Sequence, residues 1–238
     1  LEGAQRVLDS ALDLQDALAH QQQKPTGLLR VCSSTGFGRN WLGPALGRLA
    51  ERYPQLNIDL TLLDRRVDLV AEGFDLDVRV GQVHEPNWVV RCLRPNQRVL
   101  CASPTYLAKF PRPIELGDLQ RHQCILIHER DQLPGRWLLQ GPEGEHTVKV
   151  RGTLSTNNGE VATQWALAGQ GIVLRSEWDV QAHLQQGRLV RVLPQVHQDA
   201  PVMAVYPTRL VHSARLRVCV EFLTQWVSGQ ESIPDELS

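Results

Sequence analysis

The stretch 26–81 reads TGLLRVCSSTGFGRNWLGPALGRLAERYPQLNIDLTLLDRRVDLVAEGFDLDVRVG. A short apolar run at 28–32 predicts a buried strand, and apolar residues at three- and four-residue spacing predict one face of a helix over 37–53. Pro54 ends that helix, because the residue before a proline avoids the helical conformation. Residues 56–62 alternate as a second strand. The unit is therefore strand, helix, strand, which is typical of an α/β sheet.

The end of this stretch predicts a short helix and a third strand. Asp64 is a suitable N-cap for the helix, and Gly73 is a suitable residue to end it. Over 74–80 apolar residues alternate with charged ones that include Asp77 and Arg79, which predicts a strand with one face in water. In open α/β sheets ligands bind at the carboxyl ends of the strands. The stretch therefore predicts a small-molecule site.

Length and composition exclude several classes of protein. The 238 residues suffice for one large domain or two small ones. A net charge of −1 argues against direct binding of nucleic acid by this chain. We interpret Arg91, Arg94 and Arg98 as a solvent-exposed face of a strand. The five cysteines, an odd number without C-x-x-C spacing, do not suit a disulfide framework. The sequence predicts neither a membrane span nor a signal peptide, so we expect a cytoplasmic protein.

Beyond residue 81 strands and helices continue to alternate, which predicts α/β architecture with largely parallel strands. Ser103 before Pro104 predicts a helix start, and 141–144 predicts a hairpin turn. Two successive blocks, with a final strand and helix that return to the first block, predict two lobes with a cleft between them. Residues 1–22 form a polar helix with a narrow apolar seam. From the residues alone this helix is either a surface helix or the end of a dimerising helix.

Several spaced segments carry a family likeness. They are GLLRV at 27–31, FGR at 37–39, DRRVDLVAEGFDLDVRVG at 64–81, VLCASPTYL at 99–107 and GQGI at 169–172. Together they resemble the effector-binding domain of LysR-type transcriptional regulators. The likeness runs from the N-terminal helix to about residue 228 and therefore covers nearly the whole chain.

The resemblance implies the fold. We expect two Rossmann-like lobes joined by two crossover strands, as in type II periplasmic binding proteins, preceded by an N-terminal linker helix. The expected boundaries are 1–22 for the linker and dimerisation helix, 27–95 plus 202–228 for the first lobe, 98–196 for the second lobe, and 95–98 and 197–202 for the hinges.

The resemblance also implies the function. The chain is expected to sense a small-molecule effector between its lobes, to form a homodimer or tetramer, and so to control transcription. DNA would be bound only through a winged helix-turn-helix that this sequence lacks, and neither a cofactor nor a membrane is expected. By resemblance the dimer surfaces are the helix at 41–53 and the C-terminal helix with Phe222. The alternatives are a solute-binding protein of the same two-lobed fold and an enzyme built on it.

Most candidate effector-binding residues follow strands of the two lobes, and the two asparagines precede a helix of the second lobe. The hydroxyls after the first strand are expected to cap the helix there, and a capped N-terminus still offers N–H groups to an anion such as an organic acid. The asparagines of the second lobe are likewise either caps or ligand contacts, and the arginine either pairs a ligand carboxylate or forms a surface salt bridge. The candidates are Ser33, Ser34, Thr35, Gly81, Gln82, His128, Asn157, Asn158 and Arg175.

No catalytic pattern is found in the sequence. It contains no G-x-S-x-G, H-E-x-x-H, phosphate-loop or G-x-G-x-x-G motif. His84 and Glu85 lack the second histidine of a zinc site. We therefore predict neither a catalytic nor a metal site.

Overall fold

A computed structural model describes residues 25–83, 85, 87–128 and 135–227, so the helix predicted at 1–22 lies outside the described residues. The first of two large sheets contains β1 (Gly27–Ser33), β2 (Leu56–Leu62), β3 (Leu76–Val80), β4 (Trp88–Arg94) and β13 (Val202–Pro207), in the order β2-β1-β3-β13-β4. The second contains β5 (Gln97–Ala102), β7 (Arg136–Gly141), β8 (Gly144–Lys149), β10 (Val173–Ser176) and β12 (His197–Asp199), in the order β10-β5-β12-β7-β8, with β11 (Val190–Arg191) paired to β5. The short strands β6 (Leu126–Ile127) and β9 (Ser155–Thr156) pair with each other.

Helices cover both sheets. The helix predicted at 37–53 is α1 (Gly43–Arg52), preceded by a turn at Thr35–Phe37 and a π-helical turn at Gly38–Leu42. The other helices are α2 (Pro104–Leu107), α3 (Gly159–Leu167), α4 (Glu177–Gln185) and α5 (Ala214–Val227), with 3₁₀ segments at Leu116–Arg121 and Thr208–Leu210.

Two crossings connect the sheets. The chain leaves the first sheet between β4 and β5 and returns to it between β12 and β13. The crossings lie side by side, because Nδ2 of Asn96 donates to the carbonyl of Ala200 at 2.7 Å and the Ala200 N–H donates back to Asn96 at 2.8 Å. The predicted fold of two lobes joined by two crossover strands is confirmed.

Strand pairing is mixed, so the prediction of largely parallel strands is wrong. Parallel pairs join β1 to β2 and β3, and β6 to β9. The returning strand β13 runs antiparallel to β3 and β4, and β12 runs antiparallel to β5. The reason is that a strand crossing back from the other lobe enters the sheet from the opposite end, whereas a strand-helix-strand unit returns in the same direction.

The prediction that one face of β3 contacts water is also wrong. Asp77 is fully buried and Arg79 is 6% exposed. Nε of Arg79 donates to Oδ2 of Asp77 at 2.6 Å, and Nη1 donates to Glu85 at 3.1 Å. The charged residues alternate as expected for a strand, but they pair with each other instead of facing water.

The helix predicted after Asp64 is replaced by a hydrogen-bonded turn. Oδ1 of Asp68 accepts the N–H groups of Val70 and Ala71 at 3.0 Å, and Phe74 N–H donates to the Leu69 carbonyl at 2.9 Å. Asp68 therefore supplies the cap that was assigned to Asp64. Gly73, at a φ of +74°, ends the turn as predicted.

Each lobe has its own hydrophobic core. Ala45, Leu46 and Leu49 of α1 and Leu223 of α5 pack in the core of the first lobe. Phe222 also packs there at 5% exposure, so its ring is not available to a dimer surface. Two clusters fill the second lobe, on the two faces of its sheet.

A buried histidine in the second lobe predicts acid sensitivity. The Tyr106 hydroxyl accepts the Gln123 N–H at 3.0 Å and lies within hydrogen-bonding distance of Nδ1 of His122, at 3.1 Å. Burial lowers the pKa of His122 below its ordinary 6.5, although the Asp118 charge acts in the opposite direction. The unfolded chain therefore binds more protons below about pH 6.5, and stability falls as the pH drops through that value.

This pH dependence can be measured by urea unfolding at pH 7.5 and 5.5. We expect the wild type to lose more stability on acidification than His122→Gln. Burial also lowers the pKa of His183, so His183→Gln is the matched variant and only the double variant removes both contributions. An unchanged pH dependence in His122→Gln would contradict the assignment.

Candidate functional site

A cavity of about 540 Å³ lies between the two lobes. Its volume falls in the range of roughly 300–1,000 Å³ that is typical of small-molecule sites. Ser34 and Gly81 line it directly after β1 and β3, and His128 and Asn157 line it directly after β6 and β9. The cavity is therefore built at the carboxyl ends of parallel strands from both lobes.

The structure brings six of the nine candidate residues to this cavity, namely Ser34, Gly81, Gln82, His128, Asn157 and Arg175. Ser33, Thr35 and Asn158 are not among the described residues that line it. Ser33 is fully buried, and its hydroxyl donates to the Val78 carbonyl of the neighbouring strand at 2.7 Å. It therefore ties β1 to β3 instead of facing a ligand.

Asp64 caps the N-terminus of the helical segment that begins at Thr35 in the first lobe. Its Oδ1 accepts the Thr35 N–H at 2.9 Å, whereas Ser34 makes no capping side-chain hydrogen bond to the described residues. The expectation that a hydroxyl of this turn caps the helix is wrong, because a carboxylate from the end of β2 does so instead. The Asp64 carboxylate thus offsets the positive end of the helix dipole. The Ser34 side chain caps no helix among the described residues and lines the cavity.

Asn158 caps α3, as predicted for one of the two asparagines. Its Oδ1 accepts the N–H groups of Glu160 and Val161 at 3.0 and 3.1 Å. Its Nδ2 donates to Oδ2 of Asp64 at 3.4 Å, so the two helix caps bond to each other across the cleft.

Arg175 is a buried cation at the cavity. It lies near the end of β10 at 9% exposure, and its Nε donates to Oδ2 of Asp179 at 2.8 Å. Nη2 contacts the same oxygen. Asp179 lies in the first turn of α4, whereas Arg175 lies on β10, so the helical four-residue rule does not apply and no sequence pattern indicated this pair.

The lining side chains carry more positive than negative charge. Burial opposes the charge of Arg79, but the carboxylates of Asp77 and Glu85 more than offset it and raise its pKa. Arg98, interpreted from sequence as solvated, is buried and donates to Gln198 at 2.7 Å, whereas Arg91 is exposed. Four arginines line the cavity, Arg79, Arg98, Arg136 and Arg175, against three carboxylates, Asp64, Glu145 and Asp199.

The lobes also contact each other beside the cavity. Glu160 of α3 forms an ion pair with Arg39 and accepts from Nδ2 of Asn40 at 3.3 Å. The Trp178 ring of α4 packs edge-on against Phe37 and Trp41, with centroids 5.7 and 5.8 Å apart. We call these six residues the interlobe contact. Sequence reasoning missed it, since no local pattern marks partners from different lobes.

Two kinds of feature are absent from the described residues. No group of three or more His, Cys, Asp or Glu side chains there is placed to hold a metal ion. None of the helices in that part of the chain combines the length and apolarity of a membrane span.

Comparisons with known proteins identify the family. The LysR substrate binding domain family matches residues 22–228. The HTH-type transcriptional regulator DmlR of Escherichia coli K12 is 49% identical over 225 residues, which cover 94% of this chain and 73% of that protein. The transcriptional activator TtdR of Escherichia coli K12 is 43% identical over 242 residues, covering 99% and 78%.

Solved structures agree with this assignment. The structure of CrgA, a LysR-type regulator from Neisseria meningitidis, has a TM-score of 0.72 at 28% identity and covers 94% of this chain and 76% of that one. The full-length virulence activator AphB of Vibrio cholerae has a TM-score of 0.71 at 22% identity, covers 94% and 79%, and supports the fold alone. The relatives of higher identity are transcription regulators, which favours a regulator over a solute-binding protein or an enzyme. The chain belongs to the LysR family of transcriptional regulators and comprises its effector-binding domain.

Proposed function

We propose that the interlobe cavity binds a small organic acid anion as the effector. The observation that carries the proposal is Arg175, a guanidinium that is about nine-tenths buried and lines the cavity. An arginine in such a place is suited to a carboxylate, because its planar group can donate two parallel hydrogen bonds. Asn157 and His128 add polar groups on the same lobe.

The first lobe contributes Arg79, whose charge is already paired with Asp77 and Glu85, and otherwise polar groups that carry no positive charge. Ser34 supplies a hydroxyl, and Gly81 and Gln82 supply the loop after β3. Asp64 already fills the nearby helix N-terminus with a negative charge. The effector carboxylate is therefore assigned to the second lobe, next to Arg175, and the rest of the molecule reaches the first lobe.

We further propose that binding shifts the equilibrium between two arrangements of the lobes and of the dimer. An effector that touches both lobes changes their relative free energy only if its affinity for the two arrangements differs. A coupling of about 1–3 kcal/mol would alter the affinity of the full-length regulator for DNA by roughly 5–150-fold. By resemblance we assign part of the dimer surface to α1, whose residues Gly47, Arg48 and Glu51 are exposed.

A thermal-shift screen tests the ligand class. Acetate, succinate and citrate are compared with sodium chloride of equal ionic strength, using the wild type, Ser34→Ala and Arg175→Gln. A ligand at a hundred times its Kd stabilises by about 2.7 kcal/mol, which corresponds to a rise in Tm of roughly 5–10 °C for a domain of this size.

We expect the response to be lost in Arg175→Gln and reduced in Ser34→Ala. If none of the three carboxylates stabilises the wild type more than sodium chloride does, the proposed ligand class is wrong. A full response in Arg175→Gln would show that the carboxylate binds elsewhere.

A further inference from the structure

We infer that Gly159, the first residue of α3, is a positioning residue that sets the affinity of this site for carboxylates. It does so by leaving the space in which the Arg175 guanidinium lies. The inference rests on the proposed function, because the affected ligand is the carboxylate that Arg175 would bind. Gly159 itself lines the cavity beside Asn157.

The contact between Gly159 and Arg175 leaves no room for a side chain. A Cβ added to Gly159 would lie within 3.0 Å of Nη1, Cζ and Nη2 of Arg175, a separation that real Cβ atoms essentially never show. The φ of Gly159 is outside the left-handed region, so its backbone conformation is open to any residue. An alanine at this position would therefore displace the end of the Arg175 side chain without straining the backbone.

The electrostatics at this place favour an anion. A guanidinium beside the first residue of a helix lies at the positive end of the helix dipole, where a cation is disfavoured. The Asp179 carboxylate offsets part of the Arg175 charge, because Nε and Nη2 of Arg175 both donate to Oδ2 of Asp179. Glu160, the acidic residue in the first turn of α3, is directed to Arg39 on the other lobe. A ligand carboxylate would complete the balance of charge.

A packing role alone would give a different result. If Gly159 only relieved crowding, Gly159→Ala would lower stability without changing the response to anions. Gly117 is the control, since it lies in the 3₁₀ segment of the same lobe, is not among the described residues that line the cavity, and has Oε1 of Glu115 at 3.4 Å, an ordinary contact, as the nearest atom to a Cβ built on it. Gly117→Ala therefore reports the general effect of replacing a glycine of this lobe with alanine.

The experiment combines two readouts on the wild type, Gly159→Ala, Gly117→Ala, Arg175→Gln and the double variant Gly159→Ala/Arg175→Gln. The Kd for succinate is measured by calorimetry, with acetate and citrate in parallel. The rate at which phenylglyoxal modifies Arg175 is measured by peptide mass spectrometry without any ligand. This second readout reports the position of the guanidinium directly.

We expect Gly159→Ala to weaken succinate binding at least about tenfold and to speed the modification of Arg175. Gly117→Ala should match the wild type in both readouts. The double variant should bind no more weakly than Arg175→Gln, because Gly159 acts through that arginine.

The two proposals fail in different ways. An unchanged rate of modification in Gly159→Ala overturns the positioning role whether or not a carboxylate binds. Wild-type affinity for succinate in Gly159→Ala, or a further loss in the double variant, also overturns it. A wild type that binds none of the three carboxylates overturns the proposed function, and with it the effect of Gly159 on affinity.

Discussion

Replacing Asp77 with alanine is expected to lower the free energy of unfolding by about 3–5 kcal/mol. Asp77 is fully buried, and its carboxylate accepts from Nε of Arg79 at 2.6 Å. Without it a buried guanidinium loses the charge that lies closest to it. Glu85 still accepts from Nη1, but its side chain is 36% exposed and its interaction is screened by water. Urea unfolding followed by tryptophan fluorescence measures the loss.

Two further variants make this result specific to the buried pair. Asp59 is an exposed aspartate on β2, so Asp59→Ala should change stability by less than about 0.5 kcal/mol. Asp77→Ala/Arg79→Ala should recover part of the loss, because no uncompensated charge is left inside the protein. A loss of less than about 1 kcal/mol in Asp77→Ala would show that the pair is not what stabilises this wall of the cavity.

The same pair shows what a sequence pattern can and cannot predict. Alternation of apolar and charged residues identified β3 as a strand, because that period follows from backbone geometry. It could not tell whether a charged side chain meets water or an opposite charge two residues away. The sequence pattern likewise could not predict that β13 pairs antiparallel with β3, because the direction depends on the end from which β13 enters the sheet.

The candidate site was predictable where a local rule applied. Ser34 and His128 were found because both follow predicted strands, and ligands bind at the carboxyl ends of strands in α/β sheets. The role of Asp64 was misassigned, because its true partner, the Thr35 N–H, lies 29 residues away in the sequence. Trp178 was missed altogether, since its partners Phe37 and Trp41 belong to the other lobe.

The interlobe contact depends on an unusual turn of helix. Arg39, Asn40 and Trp41 all belong to the π-helical turn at Gly38–Leu42, and turns of this kind inside helices are frequent at functional sites. Gly38 lets Leu62 pack closely there, because an added Cβ would lie within 3.0 Å of Leu62 Cδ2 and would require that side chain to move. The residues that reach the second lobe are therefore held by the irregular part of the helix and not by α1 itself.

Replacing Trp178 with alanine is expected to lower the free energy of unfolding by about 3 kcal/mol, at the lower end for a tryptophan truncation because the ring is only partly buried. The same change should separate the lobes, since Trp178 is the aromatic side chain that the second lobe places against Phe37 and Trp41. Urea unfolding measures the stability, and small-angle X-ray scattering measures the expected rise in radius of gyration.

Two controls separate the loss of the interlobe contact from the loss of a tryptophan. Trp165 is partly buried in a cluster formed by the second lobe alone, so Trp165→Ala should cost stability without raising the radius of gyration. Nε1 of Trp178 is buried without an acceptor among the described residues, so Trp178→Phe keeps the ring contact and removes an unpaired donor. That variant should be close to the wild type in both measurements. An unchanged radius of gyration in Trp178→Ala would mean that the polar contacts of Glu160 with Arg39 and Asn40, together with that of Asn158 with Asp64, hold the lobes together without the aromatic side chains.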